Sequence, residues 1–390
     1  CNLSFTKSNK ECIFDSGGYF IISGSEKVII SQEKMNNNQI YIFENKNNIE
    51  TEFRSLAENE MKSTSTIKLL ITNSSKYDNR LKLQLPFLKS EIAALYVFSY
   101  FNKDYTKYIN VSDEDIKHFL VFSEIDVDDA ISCENYIHKK LIIKSNNPTK
   151  YTNDQFEINF FPHCENIESK LYLYGLMITK TINAFLTRSN LDDRDHFKNK
   201  RIDVCGDLLG SLFKQLYKKL HKDMGSAAQK NFEQDRIMNI SQIIKSKIIT
   251  NGMKYSLATG NWGMSSSQSM KVGISQVLNR HSYMSTLSHL RRINSPIGKD
   301  GKVTLPRQLH GSHAYRICPC ETPEGQSCGL VKNMALTCII SAYSNSNILK
   351  DILYQFGMKD ISINIYNFID TKVFINGNLI GFCIDPINII

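Results

Sequence analysis

Between Arg236 and Lys299 the chain runs 64 residues without one Asp or Glu, yet it carries nine Lys or Arg there. A Gly- and Pro-punctuated stretch follows, PRQLHGSHAYRICPCETPEGQSCGLVKN, from Pro306 to Asn333. The span Arg236–Lys332 holds thirteen basic and three acidic residues, a net of +10, while the whole 390-residue chain is only +8. Basic charge gathered in a quarter of a folded chain is the footprint of a polyanion, because each neutralised phosphate releases counterions. The basic residues here alternate with apolar and Gly residues and come with four His. That pattern differs from a plain Lys-rich solvated face. A nucleic-acid partner is therefore the first expectation.

The remaining bulk properties narrow the class. A chain of this length accommodates two or three domains of about 100–200 residues. At 42% hydrophobic and 22% charged, its composition is that of an ordinary globular protein rather than a disordered one. No apolar run approaches the ~20 residues that span a bilayer, and no secretory leader pattern is present. The ten Cys are scattered without disulfide-framework spacing, which fits a reducing compartment. The start at Cys1 and the end at Ile390 within an apolar stretch lead us to expect an internal piece of a longer polypeptide.

Hydrophobic periodicity predicts an α+β, multidomain chain of mixed helices and antiparallel sheets. Gly17–Phe43 alternates as strands, with turns at Gly17-Gly18 and Gly24-Ser25, and Glu44–Ile49 breaks the pattern. Thr66–Thr72 reads as a strand and Glu91–Phe101 as helical. Helical spacing recurs over Glu168–Phe185, Val204–Leu220 and Glu233–Ile249, the last ending at a cap signal, Asn251-Gly252. Another helix is expected over Val277–Arg292, and TKVFINGNLIGF reads as a hairpin through Asn376-Gly377.

Several clusters could carry chemistry. Asp192, Asp193, Asp195 and His196 supply the carboxylates a hard cation wants. Neighbouring residues diverge, however, and Arg194, Lys198, Lys200 and Arg201 are at hand, so an ion-pair hinge is expected, with Asp192 also suited to an N-cap. Cys318, Cys320 and Cys328 beside His310 and His313 depart from paired zinc spacing. NSPIGKDGK lacks the P-loop pattern and reads as a tight turn presenting Lys299 and Lys302 to phosphate. Arg291 and Arg292 close the expected helix, where guanidinium forks could grip phosphate. Glu321 and Glu324 are the only carboxylates after Asp300 in the basic zone, suited to holding Arg side chains. No nucleophile–base pair and no carboxylate triad for two metals is evident.

The segments GGYFIISGSEKVIISQE, DDRDHFKNKRID, SLATGNWG, GISQVLNRHSYMSTLSHLRR, NSPIGKDGK and PRQLHGSH…CPCETPEGQSCGLVKN, in this order, resemble the second-largest, β-type subunit of multisubunit DNA-directed RNA polymerase. The likeness is to the eukaryotic, archaeal and large-DNA-virus type. It is weak over about 59–165 and 343–370. The resemblance implies a template-directed nucleotidyltransferase working on ribonucleoside triphosphates. It also implies a division into protrusion (1–47), lobe (48–212), returning protrusion (213–253), fork (254–343) and the start of an external domain (344–390). It implies nucleic-acid-proximal roles for Gln276, Arg280, Arg291, Arg292, Lys299, Lys302, Arg307 and His310, and supporting roles near the active centre for Glu321, Glu324 and Gln326. No catalytic residue and no metal ligand is expected in this piece. Catalytic magnesium would be held mainly by an Asp triplet on the largest subunit, and zinc would bind beyond Ile390. Implied partners are the largest and smaller polymerase subunits, template DNA, nascent RNA and nucleoside triphosphates, with no membrane. The implied location is the nucleus, or host cytoplasm or virion for a viral source. Ala-Tyr-Arg after His313 and Cys320 depart from the family's usual Trp-Gly and Ala, and point towards a viral or fast-evolving source. Two other readings remain open: a stand-alone nucleic-acid-binding protein, and a metal-dependent hydrolase built on Asp192–His196.

Overall fold

The computed structural model describes residues 12–45, 48–57, 64–72, 80–120, 130–144, 146–234, 240–263, 271–299, 301, 303–341, 346–360 and 370–387. The chain divides into two compact units, one of residues 1–35 and 195–341 and the other of 36–194 and 342–390. Both mix helices with largely antiparallel sheets, the expected α+β class. Among the described residues no helix is long and apolar enough to cross a membrane.

In the second unit a five-stranded antiparallel sheet runs through Ile40–Asn45, Asn48–Ser55, Ser65–Thr72, Leu81–Gln84 and Ile92–Ala93 in sequence order. Glu44–Ile49, expected to break the pattern, instead pairs across a hairpin, Glu44 opposite Ile49 and Asn45 opposite Asn48. Residues 46–47 at its tip lie outside the described set. Backbone pairing there overrides the polar composition, since exposed strand ends tolerate Asn and Glu. The expected helix at Glu91–Phe101 shortens to Tyr96–Tyr100, because Ile92 and Ala93 pair with the sheet.

Helix Ile167–Phe185 packs on this sheet, and an aromatic core of Phe53, Phe98, Phe156, Phe160, Phe161 and Tyr174 fills the space between. The Tyr174 hydroxyl donates to the Ala94 carbonyl at 2.8 Å, so its polar end is satisfied within the core. The expected hairpin is present: Ile375 pairs with Asn378, and Asn376 (φ 50°) and Gly377 (φ 79°) take the left-handed turn that Asn-Gly favours.

His163 is buried beneath Phe53, its Nδ1 2.7 Å from the Ser55 hydroxyl. Burial, then the nearby Lys170 ammonium, push its pKa down to about 4. In the unfolded chain the same ring titrates near 6.5. Unfolding therefore takes up a proton between these values. The stability His163 preserves is complete above the unfolded value and is lost as pH falls through that window towards the folded one. The melting temperature of this unit should fall between pH 7 and pH 5, and His163→Gln should flatten that dependence. An unchanged slope in the variant would refute the assignment.

The first unit holds two small sheets. One orders Phe20–Ile22, Ser25–Ile29 and Ser275–Val277. The other orders Val331–Asn333, Arg292–Asn294, Ser31–Met35 and Lys200–Asp203. These are named below the Lys332, Arg292, Glu33 and Lys200 strands. The expected helix over Val204–Leu220 continues to Glu233, with Leu208, Leu212, Leu216 and Leu220 buried along one stripe. Leu208, Leu212 and Leu216 share a core with Ile29, Leu257, Ile274 and Trp262, whose indole N–H donates to the Leu208 carbonyl at 3.0 Å.

Two helix expectations need correction. Asn251-Gly252 is not a C-cap but sits inside helix Lys247–Thr259. A Cβ on Gly252 would run into the Leu216 side chain, so this glycine marks close helix packing. The true terminus is Gly260, left-handed at φ 78°. Nor is Val277–Arg292 one helix. Ser275–Val277 is a strand paired with Lys27–Ile29, and the helix spans only Tyr283–Leu290. Ser282 and Ser285 close a reciprocal cap at its start, ending helical propagation towards the N-terminus.

Candidate nucleic-acid interface

The Arg292 strand is central to its sheet. It pairs antiparallel with the Lys332 strand (Arg292 opposite Asn333, Ile293 opposite Lys332) and parallel with the Glu33 strand (Ile293 opposite Ser31, Asn294 opposite Gln32). Successive strand residues face opposite sides. One face therefore carries Arg292, Asn294, Asn333 and Gln32, and the other carries Ile293, Lys332, Ser31 and Glu33. On the first face Asn294 donates to Gln32 at 3.3 Å. Asn333 donates to the Ser288 hydroxyl at 3.3 Å, and that hydroxyl donates in turn to the Glu321 carboxylate. Arg292 is half-buried, and its side chain makes no hydrogen bond or ion pair among the described residues.

The opposite face is dry and charged. Glu33 is 2% exposed and lies between two buried ammoniums, Lys200 at 2.5 Å and Lys332 at 2.8 Å. Burial pushes the Glu33 carboxyl up, but the Lys332 and Lys200 charges outweigh it and hold it below its ordinary value. Phe197, Ile293 and Ile317 pack around this cluster, with His313 edge-on to Phe197. Burial, then Lys332, push the His313 pKa down to about 4, so its ring is neutral near pH 7.

The other anticipated residues divide into those that are engaged and those that are free. Arg280 is engaged. It grips Glu26 with two hydrogen bonds at 2.8 and 2.9 Å, approaches Asp15 at 3.5 Å and lies over the Tyr19 ring. The hydrogen bond from Arg280 holds Glu26 below the usual carboxylate range. Arg291 donates to the Ala335 carbonyl at 2.6 Å, so it ties down a loop. Gln276 accepts from His289 at 3.0 Å, while the other ring nitrogen of His289 accepts from the Asn279 backbone. His310 Nδ1 accepts from the Ser312 backbone N–H, and its ring meets His196 edge-on at 5.5 Å.

Arg307 is the organiser of the glycine-rich loops. One nitrogen donates to the carbonyls of Gln326 (2.6 Å) and Cys328 (3.0 Å), the other to that of Lys299 (2.9 Å). The Lys299 backbone is thus fixed while its side chain stays exposed. Gln326 enters through its carbonyl alone, and Glu324 is exposed at the start of the turn Gly325–Ser327. Lys302 lies outside the described residues.

Three residues in and beside the Asp192–His196 cluster reach partners elsewhere in the chain. The Asp192 carboxylate accepts from the Ile42 backbone N–H at 3.0 Å, so it anchors a strand and caps no helix. Arg194 stacks on Phe43 and pairs with Glu52, while Lys200 goes to Glu33. Arg201 donates instead to the carbonyls of Lys198 and Lys200. Among the described residues no three of His, Cys, Asp or Glu converge where a metal ion could be held.

Comparison with known proteins matches residues 4–251 to the family described as RNA polymerase beta subunit. This chain belongs to that family. Residues 276–340, which carry the Arg292 strand and the Arg307 loops, also match RNA polymerase Rpb2, domain 3. Among curated relatives, the chain is 39% identical to DNA-directed RNA polymerase II subunit 2 of Arabidopsis thaliana, over 96% of this chain and 34% of that protein. It is 38% identical to DNA-directed RNA polymerase II subunit RPB2 of Schizosaccharomyces pombe, over 96% and 33%. It is 30% identical to DNA-directed RNA polymerase subunit Rpo2 of Saccharolobus solfataricus, over 94% and 34%. The chain thus spans about a third of the length of the curated relatives it matches.

Within this β-subunit family member, sequence reasoning missed Glu33, Lys200, Lys332, Ser288 and Asn333. One signal was available: Glu33 is a lone carboxylate closing the run KVIISQE, whose consecutive Val28, Ile29 and Ile30 mark a strand buried on both faces.

Proposed function

We propose that this chain is part of the second-largest subunit of a DNA-directed RNA polymerase and takes part in RNA synthesis from ribonucleoside triphosphates. The observation that carries the proposal is the pairing of family membership with two exposed or half-exposed cations, Arg292 and Lys299, that have no charge partner among the described residues. Phosphoryl transfer depends mainly on positioning and charge neutralisation, and such residues supply both. Gln276, Arg280, Arg291, Arg307 and His310 shape the surface around them, and Glu321 is held by Ser288. The catalytic magnesium belongs to the largest subunit in this proposal, as the family resemblance implies. It places lobe, protrusion and fork roles on the segments named above. Template DNA, nascent RNA, nucleoside triphosphates and the other polymerase subunits are the partners, and the location is the nucleus, or host cytoplasm or virion for a viral source.

In the enzyme assembled with its partner subunits, Arg292→Ala should slow nucleotide addition about tenfold, the scale of a lost positioning contact. Lys299→Ala should lower the salt slope of nucleic-acid binding by about one. Subunit assembly should survive both changes. Normal elongation and an unchanged salt slope would remove both roles.

A further inference from the structure

The buried Glu33 cluster has no part in the reading above, yet it lies directly behind the face that carries Arg292. Glu33 and Lys332 belong to the two strands that flank the Arg292 strand. Their side chains meet on the side away from the Arg292 guanidinium, passing over Ile293. Lys200 reaches the same carboxylate from the fourth strand. One carboxylate therefore ties three strands drawn from residues 31–35, 200–203 and 331–333. Hydrophobic contact alone tolerates sliding, whereas a carboxylate shared between two ammoniums has a directional minimum at each oxygen. Two lysines to one glutamate also leave the buried cluster with an excess positive charge. That is a poor way to gain stability, and buried ionic clusters are better at specifying arrangement.

On the opposite face, Asn333 of the Lys332 strand holds Ser288, and Ser288 holds Glu321. Any shift of that strand moves Glu321 with it and turns the pleat that presents Arg292. Resting on the polymerase reading, we propose that Glu33 is a positioning residue: through Lys200 and Lys332 it sets the sheet geometry that presents Arg292 and Glu321 to nucleic acid beside the reacting centre.

The test is a double-mutant cycle in the polymerase assembled with its partner subunits, measuring single-nucleotide addition at saturating triphosphate. Glu33→Gln, and Glu33→Asp as the milder variant that keeps the charge, should slow addition about tenfold for Gln and less for Asp, with triphosphate affinity little changed. In an Arg292→Ala background Glu33→Gln should add little, because both changes disable the same element. A purely structural role would leave the assembled enzyme's rate unchanged, or would multiply with Arg292→Ala. Either outcome overturns the proposal, as does an Arg292→Ala enzyme of normal rate. If Glu33→Gln fails to assemble, the Asp variant carries the same cycle. A wild-type assembly that makes no RNA at all would overturn the polymerase reading itself, a result distinct from any of these.

Discussion

Changing Gly329 to alanine should release Lys299 from its fixed place and slow elongation at least as much as removing the Lys299 side chain. Gly329 is left-handed at φ 73°, where an L side chain is strained. An added Cβ would also lie 2.5 Å from the Arg307 Cα and 2.7 Å from its carbonyl carbon, and closer still to the carbonyl oxygen. Backbone cannot yield as a flexible side-chain tip does. Strain and overpacking together cost about 3 kcal/mol. Arg307 must shift, and its guanidinium holds the carbonyls of Lys299, Gln326 and Cys328. Limited trypsin digestion should show faster cleavage at Lys299 and Arg307. The assembled variant should extend RNA more slowly. Unaltered digestion together with unaltered extension would show that Arg307 does not govern the loop.

Phe160→Ala should give the largest stability effect, confined to the second unit. Phe160 is fully buried and meets Phe156, Phe161 and Tyr174 at centroid distances of 5.6, 4.7 and 5.5 Å. Truncating such a ring removes its transfer energy and leaves a cavity, costing about 3–5 kcal/mol. For a unit of this size that lowers the melting point by about 10 °C. The aromatic core contains no residue of the first unit. Calorimetry should therefore show one transition moving and the other staying. Two transitions moving in step would mean that the units do not unfold separately.

The parts of this fold legible in the sequence are those fixed by neighbours along the chain. The Leu208–Leu220 stripe, the helix ending at Phe185 and the Asn376-Gly377 hairpin each follow from local periodicity or turn chemistry. What failed was decided from afar. Gly252 looks like a cap until Leu216, 36 residues earlier, is seen against it. Val277 looks like the start of a helix until Lys27–Ile29 offers Ser275–Val277 a strand to pair with. The candidate site divides the same way. Exposed Lys299 and half-buried Arg292 stand out by charge alone, whereas Arg280 and Arg291 were equally conspicuous and are occupied with Glu26 and the Ala335 carbonyl. Sequence reports that a cation exists, but not which partner will reach it.

The parallel pairing of Ser31 with Ile293 also sets a timetable. A ribosome adding about 5–20 residues per second needs tens of seconds to travel from one partner to the other. The Lys200 strand covers one side of the Glu33 strand about two-thirds of the way through that interval. The other side stays an open hydrogen-bonding edge until the Arg292 strand emerges, the condition under which strands recruit foreign chains. Glu33 and its neighbour Lys34 are then still unburied on that edge, and charged side chains of this kind discourage such pairing. The carboxylate that ends up locked between two ammoniums would thus first act as a guard against aggregation during synthesis.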